Sequence, residues 1–155
     1  MDLEYTTLYD LLVSELYSPE KIKIAYLKLL NMLTCAPDMS DLDFSKKVNE
    51  INTCGDIIIA YSFDVETQQL LIVGSGTLFY EPKIIHGGSY VGHIEDVVVD
   101  ENYRKKGISS AIIQRMIENG KKKCYKIILD CKPEIEEFYE KNGFVKRGTQ
   151  MALYF

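Results

Sequence analysis

Apolar positions recur at helical spacing through the first fifty residues and then switch to strand-like runs. Ile22, Tyr26, Leu29, Leu30 and Leu33 share one helix face, and Ser18-Pro19-Glu20 ahead of them supplies an N-cap, a first-position proline and a first-turn acid. This spacing predicts a helix ending near Leu33. Residues 8–17 repeat the pattern less regularly, and Phe44, Val48 and Ile51 mark a third, short helix before a break at Cys54-Gly55. Residues 57–63 and 70–80 then read as strands joined by a polar turn, with Gly87-Gly88-Ser89 as a second turn before a central strand over 90–99. Residues 108–120 return to helical spacing, with Ile108, Ala111, Ile112, Arg115 and Met116 along one face. Residues 126–131 form a short strand, apolar on both faces at Ile127, Ile128 and Leu129, and are therefore expected to be buried. Pro133 opens a last helix to about Asn142, Gly143 caps it, and 144–155 close the chain as a strand whose apolar end is expected to be buried. Helices, three strands, helix, strand, helix, strand give an α/β layered sheet.

Composition narrows the class. At 155 residues, with 46% hydrophobic and 26% charged positions and no repeat or linker, the chain reads as one globular domain spanning 1–155. No apolar run reaches the ~18 residues of a membrane span, and the acidic N-terminus lacks the basic start of a signal peptide. Cys35, Cys54, Cys124 and Cys131 show no CxxC pairing, so no metal site or disulfide framework is indicated, and reduced cytoplasmic thiols are expected. A net charge of −5 argues against nucleic-acid binding. Lys121-Lys122-Lys123 ends a predicted helix, where cations complement the dipole. Arg104-Lys105-Lys106 begins one, where the dipole opposes them, and an anionic ligand explains that cluster better.

The chemistry concentrates in one stretch. Gly92-His93-Ile94-Glu95-Asp96-Val97-Val98-Val99 is a strand carrying two acids, and Tyr103-Arg104-Lys105-Lys106-Gly107-Ile108-Ser109 is a basic loop leading into a helix. Such a loop aims backbone N–H groups and a positive helix end at one point. Two carboxylates in an apolar strand are costly unless something uses them. In a regular strand, Glu95 and Asp96 face opposite ways; a bulge between them would let both reach one substrate. Asp130 ends an apolar strand on the face opposite Cys131, where it either caps the helix starting at Pro133 or accepts a hydrogen bond from a ligand. Tyr139 by itself reads as packing on a helix face beside Phe138. His93 reads as a satisfied strand residue.

Arg104-Lys105-Lys106-Gly107-Ile108-Ser109 resembles the cofactor motif Q/R-x-x-G-x-G/A of the GNAT acetyltransferase superfamily, with Ser109 in the last small position. A narrower likeness covers about residues 80–145. Gly92 to Val99, Cys124-Tyr125-Lys126-Ile127-Ile128-Leu129-Asp130-Cys131, Phe138-Tyr139-Glu140-Lys141-Asn142-Gly143-Phe144 and Lys83-Ile84-Ile85-His86 resemble signature blocks of the glucosamine 6-phosphate N-acetyltransferases. The first fifty residues are similar mainly at Leu33-Thr34.

That resemblance implies a GNAT fold, with a mixed, largely antiparallel sheet splayed at its central strands and flanked by helices. It also implies acetyl transfer from acetyl-CoA, with no metal, to the amine of glucosamine 6-phosphate, within amino-sugar nucleotide synthesis. Val97, Val98 and Val99 would pair with pantetheine, and Arg104, Lys105, Lys106, Gly107, Ile108 and Ser109 would hold pyrophosphate. Tyr139 would touch the cofactor and protonate the leaving thiolate, Asp130 would orient the amine, and Glu95 or Asp96 would take its proton. Thr34, Lys83, His86, Glu95, Asp96, Tyr125 and Lys126 would meet the sugar phosphate in a homodimer with shared pockets.

Two departures stand out. Tyr154 occupies the place of an arginine that binds the phosphate in that family; losing such a partner typically costs ~1.5–3 kcal/mol. Either Lys83, His86, Lys126 or Arg147 compensates, or the phosphate is held more weakly. Asn142 replaces a usual cysteine, which favours direct transfer over an acyl relay. The competing readings are a GNAT enzyme with another amine acceptor and a non-catalytic acetyl-CoA sensor. Rossmann and P-loop proteins are disfavoured, because GxGxxG and GK[ST] are absent.

Overall fold

The computed structural model describes residues 2–155. Its elements in chain order are β1 (Glu4–Thr7), α1 (Leu8–Val13), α2 (Pro19–Leu30), α3 (Asp41–Asn52), β2 (Gly55–Asp64) and β3 (Gln69–Pro82). A single kinked turn, α4 (Ile85–Gly88), precedes β4 (Tyr90–Val99), α5 (Ile108–Lys121), β5 (Cys124–Leu129) and α6 (Glu136–Lys141). The strands form one open sheet in the order β1-β2-β3-β4-β5, antiparallel except for the parallel β4–β5 pair that α5 connects.

Strand alternation divides the core in two. Ile57, Ile59 and Tyr61 of β2 meet Leu8, Leu11, Ile22, Leu29 and Phe44 from α1, α2 and α3. Ile58 and Ala60, pointing the other way, meet Ile108, Ile112, Ile113 and Met116 of α5. The sheet is bare enough for α5 to press close. A Cβ on Gly74 would lie 2.8 Å from Ile108 Cγ2 and 2.9 Å from Ile112 Cδ1, and one on Gly76 would lie 2.9 Å from Met116 Cε. Ser18 caps α2 as its sequence indicates, accepting from the Lys21 N–H at 3.3 Å.

Four expectations are corrected. β1 was not foreseen, because Glu-Tyr-Thr-Thr carries no apolar run; it is held by β2 pairing, by Tyr61 donating to Glu4 at 2.9 Å, and by Arg115 3.9 Å over the Tyr5 ring. The first two helices are shorter than expected, ending at Val13 and Leu30, and the last begins as a 3₁₀ turn over Pro133–Ile135. β5 is an edge strand, not a buried one: Ile127 and Leu129 pack on the α5 core, while Ile128 between them is 40% exposed. Residues 144–155 form no strand, and Leu153, Tyr154 and Phe155 are exposed. Apolar composition marks a surface that seeks cover, and it does not say whether that cover lies in the same chain.

Ile112 is fully buried between α5 and the two glycines. Ile112→Ala is expected to cost about 2–5 kcal/mol, read as a lower urea midpoint at unchanged slope.

Candidate active site

The site starts from an irregularity in β4. Thr77 pairs with Glu95 and Ser75 with Val98, so β4 spends one residue more than β3 over the same stretch. Asp96 takes a left-handed conformation there, φ 52°, which Asp tolerates better than most residues. The phase of the strand then reverses. Ile94 faces the α5 core before the bulge; after it Val97 and Val99 do so, and Val98 faces α1–α3. β4 also outruns β5, since their pairing stops at Ile94–Leu129. From Glu95 to Val99 one flank of β4 has no neighbouring strand, so the sheet is splayed where the sequence suggested.

Beside this open edge lies a cleft of about 310 Å³. Val97, Val98 and Val99 line its floor, and Arg104, Lys105, Ile108 and Ser109 close one end. Ile135, Phe138 and Tyr139 form the opposite wall, with Met32 and Leu33, just beyond α2, overhanging. The basic end is built for an anion. Thr7, Ser18 and Ser40 cap α1, α2 and α3, but α5 begins at Gly107 with no side-chain cap and no first-turn acid. Its first N–H groups therefore stay free. Lys105 (φ 60°) and Gly107 (φ 78°) fold the approach left-handed, and the space beside Gly107 is open. Lys106 lies 4.9 Å over the Tyr103 ring.

Tyr139 is 8% exposed and sits edge-on to Phe138 and Phe144, with ring centroids 4.9 and 6.0 Å away. Burial pushes its phenol up, with a smaller push from Cys131, so it holds its proton at neutral pH. Both packing and exposure to the cleft therefore hold for Tyr139. Cys131 is itself raised by burial, the wrong direction for a nucleophilic thiol. Asn142 joins helices: it accepts from Gln114 at 3.2 Å and donates to the Phe138 carbonyl at 2.8 Å.

Glu95 has its carboxyl pushed up, first by burial and then by the charges of Asp96 and Asp130, with His93 opposing. Glu95 and Asp96 stand at the bulge within β4, and Asp130 directly follows the end of β5. The 3₁₀ turn at Pro133 takes no side-chain cap, so the capping alternative for Asp130 is excluded. Sequence reasoning missed Tyr26. Its hydroxyl meets Ser75 Oγ at 3.2 Å in a buried pair beside the bulge, and its phenol rises to about 12, chiefly by burial and also through Asp96. Its helical spacing marked it only as core.

The remaining candidates lie elsewhere. His86 stacks on Tyr125 at 4.1 Å, and Lys126 lies 5.6 Å over the same ring. Lys83 and His93 both pair with Glu81, His93 at 2.7 Å. Tyr125 and Lys126 sit beside Tyr90 and Val91, at the far end of β4, roughly 13 Å from Glu95 at ~3.3 Å per residue. Within one chain, Lys83, His86, Tyr125 and Lys126 are thus separated from the cleft. Thr34 follows Leu33 on the overhang and is exposed. Among the described residues, no group of three His, Cys, Asp or Glu side chains is placed to hold a metal ion.

A strand edge left open beside an uncapped helix start is the geometry of an acetyl-CoA-dependent N-acetyltransferase, and the model of the acetyltransferase (GNAT) family matches residues 28–144. The chain belongs to that family. A probable glucosamine 6-phosphate N-acetyltransferase 2 of Oryza sativa subsp. japonica is 39% identical over 84% of this chain and 80% of that one. The glucosamine 6-phosphate N-acetyltransferase of Trypanosoma brucei brucei is 38% identical over 83% and 86%. The crystal structure of the Arabidopsis thaliana glucosamine-6-phosphate N-acetyltransferase superposes with a TM-score of 0.83 over 100% of this chain and 99% of that one, at 26% identity. Within the GNAT family, the chain is a member of the glucosamine 6-phosphate N-acetyltransferases.

The raised Glu95 carboxyl has a sign that can be tested. The folded chain holds that proton more tightly than the unfolded chain, so stability falls as pH rises through the raised range. Glu95→Gln is expected to raise Tm at neutral pH and to leave it unchanged near about pH 3, where the carboxyl is neutral in both states. Calorimetry at the two pH values makes the comparison.

Proposed function

We propose that this protein transfers acetyl from acetyl-CoA to the 2-amino group of glucosamine 6-phosphate, by direct attack with both substrates bound. The supporting observation is the juxtaposition of the open β4 edge, the anion-binding start of α5 and buried Tyr139 around one cleft. Acetyl-CoA supplies an acyl group activated as a thioester. The backbone of Val97, Val98 and Val99 offers the hydrogen bonds that a fifth-strand neighbour would otherwise take, and so aligns an extended pantetheine arm. Arg104, Lys105 and Lys106 and the N–H groups from Gly107 to Ser109 receive pyrophosphate. A backbone N–H near Val97 polarises the thioester carbonyl.

Tyr139 donates to the departing thiolate, a role its raised phenol keeps available at neutral pH. Asp130 orients the sugar amine, and Glu95 or Asp96, directly or through water, takes its proton. A carboxyl raised by burial and like charge is a better base than an ordinary one. Thr34, Lys83, His86, Tyr125 and Lys126 bind the sugar phosphate. Four of them lie far from the cleft in one chain, and the β5 flank and apolar tail are uncovered, so a homodimer with shared sites fits these residues together. No helix among the described residues is long and apolar enough to cross a membrane. A cytoplasmic step towards UDP-N-acetylglucosamine is the setting we infer, with the 1–155 chain acting as one domain and neither metal nor nucleic acid taking part. The specific observation favouring a different amine acceptor is exposed Tyr154 in place of the phosphate-binding arginine.

Release of CoA thiol is to be measured with glucosamine 6-phosphate, glucosamine and simple polyamines. Activity confined to the phosphosugar is expected, and equal activity on a polyamine would overturn the acceptor assignment. Tyr139→Phe is expected to lower kcat by about 10²-fold or more with acetyl-CoA affinity retained. Unchanged turnover would remove Tyr139 from the mechanism. Sedimentation at micromolar concentration is expected to show a dimer.

A further inference from the structure

With Glu95 and Asp96 as the acids that meet the acceptor amine, as proposed above, we infer that Tyr26 is a positioning residue for the transfer. Its hydroxyl, bound to Ser75, locks the β4 bulge that turns both acids to one side of the sheet, and it does so without touching substrate.

Between the Thr77–Glu95 and Ser75–Val98 pairs, Gly76 alone stands opposite both Asp96 and Val97. Ile94 before the bulge and Val97 after it both pack towards α5. Alternation therefore sends Glu95 and Asp96, the two residues between them, to the α2 side, where both are exposed. In a regular strand Ser75 would pair with Val97, and Val98 would turn away from the α1–α3 core in which it is now buried. Tyr26 reaches the sheet at this step. It projects from α2 into the same core, its ring centroid 6.3 Å from that of Phe44, and its hydroxyl lies 3.2 Å from Ser75 Oγ. Ser75 is fully buried and Tyr26 is 6% exposed, so water does not compete for this bond. Burial, and to a smaller extent the charge of Asp96, push the phenol up to about 12. Tyr26 therefore keeps its proton across the neutral range, and the link to Ser75 does not titrate there.

Val98 belongs to the same core cluster as Tyr26 and also lines the cleft, so the anchor and the site share a residue. Apolar packing tolerates small slips along a strand, whereas a hydrogen bond has a preferred distance and direction. A bulge gives up ladder pairing, and Asp96 holds φ 52° there, so this stretch keeps one geometry only if its surroundings over-determine it. The Tyr26–Ser75 bond supplies that constraint from the strand directly opposite. Reacting groups tolerate little displacement: an error of about 1 Å can cost on the order of 10²-fold in rate.

Tyr26→Phe keeps the ring, deletes the hydroxyl and leaves Ser75 Oγ buried without this partner. In the folded variant, kcat with glucosamine 6-phosphate is expected to fall about tenfold or more. CoA affinity, measured by titration calorimetry without acceptor, should stay within about threefold, because the α5 end of the cleft is untouched. Amide hydrogen exchange over residues 93–99 should speed up, with the β1–β2 pairing unaffected. Ser75→Ala should lower kcat comparably, and the double variant should add little further loss, since all three remove the same contact. If Tyr26→Phe lowers Tm but leaves kcat at the wild-type level, the hydroxyl only stabilises the fold and the inference is wrong. A CoA affinity that falls in step with kcat would mean that the whole cleft has shifted, and would overturn the assignment to the acids. If Tyr26→Phe does not fold, Ser75→Ala decides, wild-type kcat again overturning the inference. If the wild type itself transfers no acetyl to the phosphosugar, the proposed function fails; unchanged exchange over 93–99 in Tyr26→Phe is then the result that overturns the role of Tyr26.

Discussion

Because β4 carries one residue more than β3 between the Thr77–Glu95 and Ser75–Val98 pairs, everything beyond Asp96 is turned over relative to a regular strand. The inversion puts Val98 under α2 and Val97 and Val99 toward α5. It also bends β4 away from β5, so the two strands part after Ile94 and Leu129. A regular β4 would carry on pairing, close the cleft and send Glu95 and Asp96 to opposite faces. The buried Tyr26–Ser75 hydrogen bond anchors the neighbouring strand at this point, and α5, seated on Gly74 and Gly76, holds the other face.

The same stretch of chain separates charge. Acids gather where β4 and β5 diverge, and cations and free N–H groups gather at the start of α5. Negative charge at the bulge is thus followed, within a few residues, by positive charge at the α5 end of the cleft. In a protein of net charge −5, the cationic end of the cleft is a local inversion of sign.

Much of this was legible in the residues. Ser18-Pro19, the switch of period near residue 57, and Gly107 between a basic run and an amphipathic helix each state a local rule that the fold obeys. The bulge was foreseeable because two adjacent carboxylates in one strand make little physical sense otherwise. What escaped was decided by distant partners. Glu4–Thr7 is a strand only because β2 offers an edge, and Tyr26 is polar support only because Ser75 stands opposite. Ile128 and the tail from Phe144 onward were misjudged for a different reason: apolar residues announce a need for contact, and this chain alone does not meet it.

The order of the strands carries a kinetic consequence. β2, β3 and β4 follow one another as antiparallel neighbours joined by short connections, so their loop closures cost least. β1 must wait for three helices to pass before it meets β2, and β5 must wait for α5 to cross the sheet. The last strand in the chain is the one that leads into the Ile135–Tyr139 wall of the cleft. A newly made chain arrested at the three-stranded stage would lack one wall of the cleft, with the full length of β4 still an unpaired edge and open to capture by another unfinished chain.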